Sequence, residues 1–276
     1  MTKQSLQKET DDFYICNLLE INALYHFCKK KGRAALKVIC CMTIVVLSAI
    51  GGMLYATPST TFWTPCTPDI QPPESVHVTY DYYGRAGSPS SDPVSSFPAT
   101  IGLTYGTNIS GKILLEYGFD YLFPADYPFY FNIKVGLGEG VVSPSAPAIQ
   151  IGVFNVGTKK DVTNQNILYL VVGKTLSDKH GRLSAGCYVG NRHVLKSSNG
   201  NKENTGFMIA YDRVIRSDKL TFAVDYASGK NSFGGGGIGF YYYFSKNASL
   251  LIGPVWFNDK CLNGKMKWTI QLDANL

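Results

Sequence analysis

The residues best suited to acid–base or nucleophilic chemistry are few, and their spacing does not build a catalytic site. His77 and Thr79 form a His-x-Thr pair that only partly matches the His-x-Ser pair of a lipid hydrolase, because threonine stands where the serine nucleophile would be. Such catalysis needs a nucleophile, a base and an orienting group in contact. His180 and His193 fall in a predicted turn and a predicted loop. We therefore predict that the protein is not an enzyme and has no catalytic residues.

Metal and cofactor chemistry also lacks its usual sequence patterns. Cys66, Cys187 and Cys261, the cysteines that follow residue 56, do not have the paired spacing of a zinc site. The glycine run 234–237 is not followed by a predicted helix, which excludes a phosphate-binding loop. The sequence predicts no metal site and no cofactor, and it predicts an unpaired, partly buried Cys187.

Charge and composition exclude a nucleic-acid partner. The 276 residues carry a formal net charge of +6, but residues 1–56 hold seven of the 26 basic residues and four of the 20 acidic ones. The remaining 19 basic and 16 acidic residues give +3 and are scattered along the chain, unlike the basic clusters of nucleic-acid-binding proteins. Charged residues make up 17% of the chain, which is low for a soluble domain.

The last stretch of the chain, 266–276, alternates strictly between apolar and polar side chains. Successive side chains of a strand point to opposite faces, so this pattern predicts a strand with one apolar and one polar face. A length of about ten residues is typical of a tilted transmembrane strand. We expect it to close an outer-membrane barrel whose outside contacts lipid. The apolar positions are Met266, Trp268, Ile270, Leu272, Ala274 and Leu276.

Eleven further segments with strand character precede this one, separated by clusters of turn-forming residues. The sixth is apolar on both faces at its start, so its orientation stays open. An even number of strands suits a closed antiparallel barrel. We predict an all-β fold, a closed antiparallel transmembrane β-barrel of about 12 strands preceded by an N-terminal signal helix. The predicted strands are 76–83, 99–107, 112–121, 129–138, 148–156, 167–176, 182–190, 206–214, 219–228, 236–244, 249–257 and 266–276.

The predicted connections alternate between long and tight, as they do in outer-membrane barrels with short periplasmic turns. The connection 139–147 is the exception, being long where a short turn is expected. A soluble β-sandwich shares the alternating strands, but the strand length and the export signal described next favour the membrane barrel. The long connections are 84–98, 157–166 and 191–205, and the tight ones are 108–111, 177–181, 215–218 and 245–248.

The start of the chain carries a predicted export signal. A basic cluster at 29–37 precedes the uncharged run 38–56, which is typical of a secretory signal with cleavage near Ala56. A permanent helical anchor is the alternative. We predict four regions: a leader of open status at 1–28, a signal peptide at 29–56, an extended periplasmic lead-in at 57–74 and the transmembrane barrel at 75–276.

Residues 62–71 read Phe-Trp-Thr-Pro-Cys-Thr-Pro-Asp-Ile-Gln and lie shortly before the first predicted strand. The prolines in and after this segment exclude a helix or a central strand. The segment and the strand spacing that follows resemble a family of largely uncharacterised, porin-like bacterial outer-membrane β-barrels. The resemblance implies a barrel in a Gram-negative-type envelope and offers no catalytic residues.

The polar faces of the predicted strands would line the lumen of the barrel. Both charge signs occur there in near balance, so no strong preference for anions or cations is predicted. Glycines on the inward parity either leave space or ease the bending of the sheet; they are Gly102, Gly106, Gly118, Gly136, Gly186, Gly239 and Gly253. The predicted pore-lining residues are His77, Asp81, Lys112, Glu116, Asp120, Lys134, Arg182, Asp212, Asp225, Lys267, Gln271 and Asp273.

Two functions fit this reading of the chain. The first is a passive channel for small polar solutes, located in the cell outer membrane, with the lipid bilayer and the solutes as its partners. The second is a closed barrel that serves adhesion or recognition through the outer connections 84–98 and 191–205. A lipid hydrolase centred on His77 is the weakest of the alternatives.

Overall fold

A computed structural model describes residues 59–276 except positions 89, 93 and 218, so the predicted leader and signal peptide lie outside the described residues. Twelve described strands form one closed antiparallel barrel in which each strand pairs with its neighbours in the chain and β1 pairs with β12. The predicted closed antiparallel β-barrel of 12 strands is confirmed, whereas the predicted signal helix lies outside the described residues. The strands are β1 (Val76–Arg85), β2 (Ala99–Ser110), β3 (Ile113–Phe123), β4 (Phe129–Leu137), β5 (Ala148–Gly157), β6 (Ile167–Ser177), β7 (Gly181–Val189), β8 (Thr205–Arg216), β9 (Leu220–Ala227), β10 (Gly235–Ser245), β11 (Ala248–Phe257) and β12 (Met266–Asn275).

The two ends of the barrel differ in the length of their connections. One end, the loop rim, carries 86–98, 158–166, 190–204 and 258–265, the last of which contains the short helix α1 (Lys260–Asn263). The other end, the turn rim, carries tight turns and, as the sequence suggests, one long connection at 138–147. Among the described residues, no helix is long and apolar enough to cross a bilayer.

The outside of the barrel is apolar and the inside is largely polar. Phe131 and Trp268 face outward and keep 48% and 50% of their surface exposed, while Lys134 and Lys267 face inward and are 4% and 0% exposed. Soluble proteins place these residue types the other way round. The alternation of side chains along the strands therefore produces an apolar belt around a polar interior, as in barrels that are embedded in lipid.

Strand β6 resolves the orientation that the sequence leaves open. Ile167, Tyr169 and Val171 point inward and are buried, whereas Leu168 and Leu170 are exposed on the outside. The inward side chains belong to an apolar cluster that surrounds the buried thiol of Cys66. This strand is apolar on both faces because one face contacts the exterior and the other packs on chain that lies within the lumen.

Three sequence expectations differ from the structure. Cys187 is exposed on the outward face of β7 instead of partly buried, because its neighbour Tyr188 takes the inward position. Lys112 lies in the exposed turn between β2 and β3 and not on the lumen wall, because β3 begins one residue later than predicted. The predicted lead-in has no regular secondary structure, but residues 59–73 lie inside the barrel.

Candidate functional site in the barrel lumen

Residues 59–73, here called the luminal segment, occupy much of the interior. Phe62, Thr64, Cys66 and Gln71 are 0% exposed although the segment contributes no strand. The segment packs on two apolar clusters of the wall, one around Phe62 and one around Cys66. The lumen is therefore filled by the chain that precedes β1 as well as by the side chains of the wall.

Glycines of β10 and β11 make room for the ring of Phe62. A Cβ atom at Gly239 or Gly253 would lie 2.8 Å from the Phe62 ring, and one at Gly237 would overlap Phe62 Cβ. At Gly239 and Gly253 such an atom would also meet the carbonyl oxygen of the neighbouring strand, so a larger residue would disturb both the strand pairing and the ring. The sequence analysis considered open space or bending of the sheet for these inward glycines, whereas here the space is filled by the luminal segment.

Asp225 on β9 fixes the next part of the segment. Its Oδ2 accepts hydrogen bonds from the backbone N–H groups of Trp63 (2.9 Å) and Thr64 (2.7 Å) and from the Thr64 hydroxyl (2.8 Å). Its Oδ1 accepts from Gly237 N–H (2.9 Å). A buried carboxylate is tolerated when hydrogen bonds replace its water, and here most of them come from the luminal segment.

Arg182 on β7 binds Asp69 of the luminal segment through a bidentate ion pair. Its Nη1 and Nη2 each lie 2.6 Å from one carboxylate oxygen of Asp69, and its Nε donates to Asp212 on β8 (2.9 Å). The planar guanidinium matches a carboxylate in this bidentate geometry. Three charged groups are thus joined across the segment and two neighbouring strands.

Both ends of the luminal segment meet at one ion pair of the wall. Glu116 Oε2 on β3 lies 3.2 Å from Lys134 Nζ on β4 and accepts a hydrogen bond from the Gln71 N–H (2.8 Å). Lys134 Nζ also donates to the backbone oxygen of Ser59 (3.2 Å). The segment therefore forms a loop that leaves the pair, crosses the lumen and returns to it.

A cavity of about 410 Å³ remains beside the segment, on the side of β1 to β5. Its wall combines polar and aromatic groups, including Trp63, Tyr83 and Tyr130. Six of the predicted pore residues line it: His77, Asp81, Glu116, Asp120, Lys134 and Asp273. The cavity is large enough for a small organic molecule.

The other predicted pore residues have different positions. Arg182, Asp225 and Gln271 contact the luminal segment, Gln271 through a hydrogen bond from Nε2 to the Phe62 carbonyl oxygen (2.8 Å). Asp212 accepts a hydrogen bond from Arg182. Lys267 lies 3.2 Å from Asp92 of the 86–98 loop. The predicted set therefore splits between the cavity, the segment and the loop rim, and the cationic members Arg182 and Lys267 lie outside the cavity.

Both ring nitrogens of His77 have a polar partner. Its Nε2 lies 3.2 Å from Asp273 Oδ1, and its Nδ1 lies 2.7 Å from Asn275 Oδ1. In the part of the chain that the structure describes, no group of three or more His, Cys, Asp or Glu side chains is arranged to hold a metal ion.

Sequence reasoning missed the residues of the luminal segment that contact the wall, above all Trp63, Thr64 and Asp69. The four prolines at 65, 68, 72 and 73 exclude regular structure but do not say where the segment lies. The inward glycines of β10 and β11 were the available signal, because they mark wall positions at which a second piece of chain can approach.

The chain matches no protein-family model and no curated protein. Among solved structures it is similar to the KdgM porin (TM-score 0.48, 9% identity, covering 72% of this chain and 98% of that one). It is also similar to the NanC porin in a rhombohedral crystal form (TM-score 0.47, 9% identity, 72% and 97%). A Salmonella typhi OmpF complex with daunomycin follows (TM-score 0.38, 8% identity, 73% and 96%). At such identities the likeness concerns the barrel architecture and does not extend to a ligand.

Proposed function

We propose that this protein is an integral β-barrel of the outer membrane that passively conducts small polar solutes. The membrane location is supported by the closed sheet and by its apolar outer face, since only closed barrels and helices satisfy their backbone groups in lipid. Exposed aromatic side chains such as Tyr82, Tyr121 and Phe244 near strand ends fit the interfacial girdles of such barrels.

The observation that carries the channel proposal is the polar cavity that the luminal segment leaves open. It is lined by charged and hydroxyl-bearing groups inside an apolar outer sleeve. Small polar solutes can exchange part of their hydration shell for contacts with such a wall. The luminal segment narrows the path and sets an upper limit on solute size.

Purified protein reconstituted in planar bilayers tests the proposal. Discrete conductance steps are expected, together with swelling of proteoliposomes in small neutral polyols and none in large ones. A bilayer that stays sealed at high protein density would remove the channel and leave the barrel. Migration in electrophoresis with and without boiling reports whether the preparation is folded.

A closed barrel with a recognition role is the second candidate, and the luminal segment favours it because it fills much of the lumen. The 190–204 loop also has ordered contacts: Leu195 is 0% exposed, and Ser198 N–H donates to Asp259 (2.8 Å). In this case deletion of 84–98 or 191–205 would abolish binding of the protein to a surface. Bilayers that contain the wild-type protein or either deletion variant would show no conductance.

A further inference from the structure

The cavity is acidic, although the predicted pore residues as a whole are nearly balanced. It is lined by four carboxylates, Asp81, Glu116, Asp120 and Asp273, but by only one lysine, Lys134, and one histidine, His77. Glu116 is paired with Lys134, and Asp273 with His77. Among the described residues, Asp81 and Asp120 form no ion pair. The cavity therefore contains two carboxyl groups that have no ion-pair partner among the described residues, here called the uncompensated carboxylates.

Strand register brings three of these carboxylates onto one stretch of wall. Asp273 of β12 lies opposite Thr79 of β1, Thr79 lies opposite Gly102 of β2, and Gly102 lies opposite Asp120 of β3. Asp81 follows two residues after Thr79, on the same face of β1. These acidic groups lie at similar height in the barrel, with Asp273 and Asp81 on the adjacent strands β12 and β1 and Asp120 on β3, beyond β2.

Gly102 lets the carboxylate of Asp120 lean toward β1. A Cβ atom at Gly102 would lie 2.6 Å from Asp120 Oδ1 and 2.5 Å from Thr79 Cγ2. The side chain of Asp120 thus occupies the space over the glycine, and Thr79 in turn donates to Asp81 Oδ1 (2.9 Å). A larger residue at 102 would separate the two uncompensated carboxylates.

One oxygen of the group has no partner. Asp273 is 4% exposed and contributes to the cavity wall, and its Oδ2 is buried without a hydrogen bond. A buried acceptor left unsatisfied is costly, so a donor such as a water molecule or a bound group would stabilise this oxygen. Its location beside Thr79 places this acceptor next to the uncompensated carboxylates.

We propose that this acidic stretch of the cavity, formed by Asp81, Asp120 and Asp273, binds a primary alkylammonium ion. The proposal deepens the channel function by naming the solute class. An ammonium head has three N–H donors and a positive charge, so it can donate to one or two carboxylates and to water at the same time and does not need a closed shell of protein ligands. A bare metal ion fits poorly, because the described residues hold no cluster of ligands close enough to coordinate one.

The rest of the wall suits the apolar tail of such a cation. Trp63, Tyr83, Phe97 and Tyr130 line the same cavity. Aromatic faces attract organic cations and bury alkyl groups. The cavity volume of about 410 Å³ accommodates a small amine with its hydration water.

Isothermal titration calorimetry of the purified protein in detergent tests the site with three probes of similar size: butylammonium chloride, sodium butyrate and butan-1-ol. Wild-type protein is expected to bind butylammonium only. The double variant Asp81→Asn/Asp120→Asn, which keeps side-chain size, is expected to lose about tenfold or more in affinity, since each lost charge contact weakens binding. Asp161→Asn, in an exposed loop, is the matched control and should bind as wild type.

The outcomes separate this site from the channel. Binding of butylammonium by protein that leaves bilayers sealed would keep the site and remove the channel. Conductance steps without butylammonium binding, equal binding of butyrate, or unchanged affinity in the double variant would overturn the site and keep the channel. If the double variant loses the unheated electrophoretic shift of a folded barrel, the single variants Asp81→Asn and Asp120→Asn are compared in the same way.

Discussion

The carboxylate of Asp225 accepts four hydrogen bonds, three from the luminal segment and one from β10. All three donors of the segment converge on a single oxygen, Oδ2. An ionised carboxylate has enough lone pairs for this arrangement, whereas an amide offers one acceptor oxygen and two donors. The position of Trp63 and Thr64 therefore depends on the chemistry of this side chain and not only on its shape.

Asp225→Asn is expected to loosen the luminal segment. The amide must leave at least one backbone N–H unsatisfied, which costs about 1–3 kcal/mol and corresponds to opening that is about 5- to 150-fold more frequent. Hydrogen exchange at the Trp63 and Thr64 amides should accelerate by about that factor. Asp161→Asn should leave both rates unchanged. Equal exchange rates in Asp225→Asn and wild type would contradict the assigned role.

Asp92 ties the 86–98 loop to the barrel at the loop rim. Burial alone would raise its pKa, but hydrogen bonds from the Lys265 N–H and from Lys267 Nζ, together with the charge of Lys267, hold the pKa of Asp92 below its ordinary value. A carboxyl group with a lowered pKa in the folded protein stabilises the fold above its unfolded pKa, and this stability is lost as the pH falls through the folded pKa.

The 86–98 loop is therefore expected to stay docked at neutral pH, to lose stability as the pH falls below the ordinary aspartate pKa of about 4, and to detach as the pH falls through the lower pKa of Asp92 in the folded protein. Hydrogen exchange of the loop measured from pH 7 down to pH 3, and corrected for intrinsic rates, tests this. In Asp92→Asn the loop should exchange faster at neutral pH and show no transition on acidification. A transition that persists in the variant would assign the effect to another group.

At the scale of elements, β10 and β11 carry glycines at the inward positions that face Phe62 of the luminal segment. Their inward glycines accept the ring of Phe62, and the three atoms nearest to a Cβ at Gly237 are side-chain atoms: Phe62 Cβ and Cγ, and Val255 Cγ2 at 3.1 Å. Gly237→Ala therefore tests the packing between β10 and the luminal segment.

Gly237→Ala is expected to destabilise the protein by displacing Phe62, and the effect should shrink when Phe62 is replaced by glycine. A double-mutant cycle of Gly237→Ala with Phe62→Gly should give a coupling of about 0.5–3 kcal/mol. Urea unfolding in detergent, followed by circular dichroism, measures it. Gly138→Ala, which meets only Val141 at 3.6 Å, should be additive with Phe62→Gly. Additivity of the first pair would show that the contact does not limit stability.

Element positions could be predicted from the sequence because alternation is a local property of each strand. The twelfth strand was read from Met266 to the end, and the structure has it from Met266 to Asn275. The place of the luminal segment could not be predicted in this way, since Asp69 and Arg182 or Thr64 and Asp225 meet across distances in sequence that no periodic pattern encodes. The inward direction of His77, Asp81 and Asp120 followed from the alternation of side chains along each strand. The acidic character of the cavity could not be predicted, because it depends on Arg182 and Lys267 pairing with Asp69 and Asp92 outside the cavity.

At the scale of the whole molecule, the apolar belt should tolerate charge at its edges but not at its middle. Ile270 is 43% exposed on the outer face near the centre of β12, whereas Ile109 is 57% exposed at the turn rim. A lipid-facing arginine costs about 2–4 kcal/mol at the bilayer midplane and about 0–1 kcal/mol near the interface.

Ile270→Arg should therefore lower the stability of the folded barrel in lipid vesicles by about 2–4 kcal/mol, and Ile109→Arg by at most about 1 kcal/mol. Reversible guanidinium unfolding in vesicles, followed by tryptophan fluorescence, gives both values. Similar small effects of the two variants would mean that the outer face does not lie in hydrocarbon. Large effects of both would place the turn rim within the hydrocarbon core.

The loop that the luminal segment makes has a consequence for the order of assembly. Residues 59–73 come before β1 in the chain, yet their contacts at Asp225, Gly237 and Gly253 belong to strands that are synthesised last. Such contacts are distant in sequence and therefore slow to form. The segment must either be in place when β1 meets β12 or enter afterwards through a rim. A chain cut short before β9 would consequently lack the wall residues on which the luminal segment docks, so the interior can be completed only after the last strands are present.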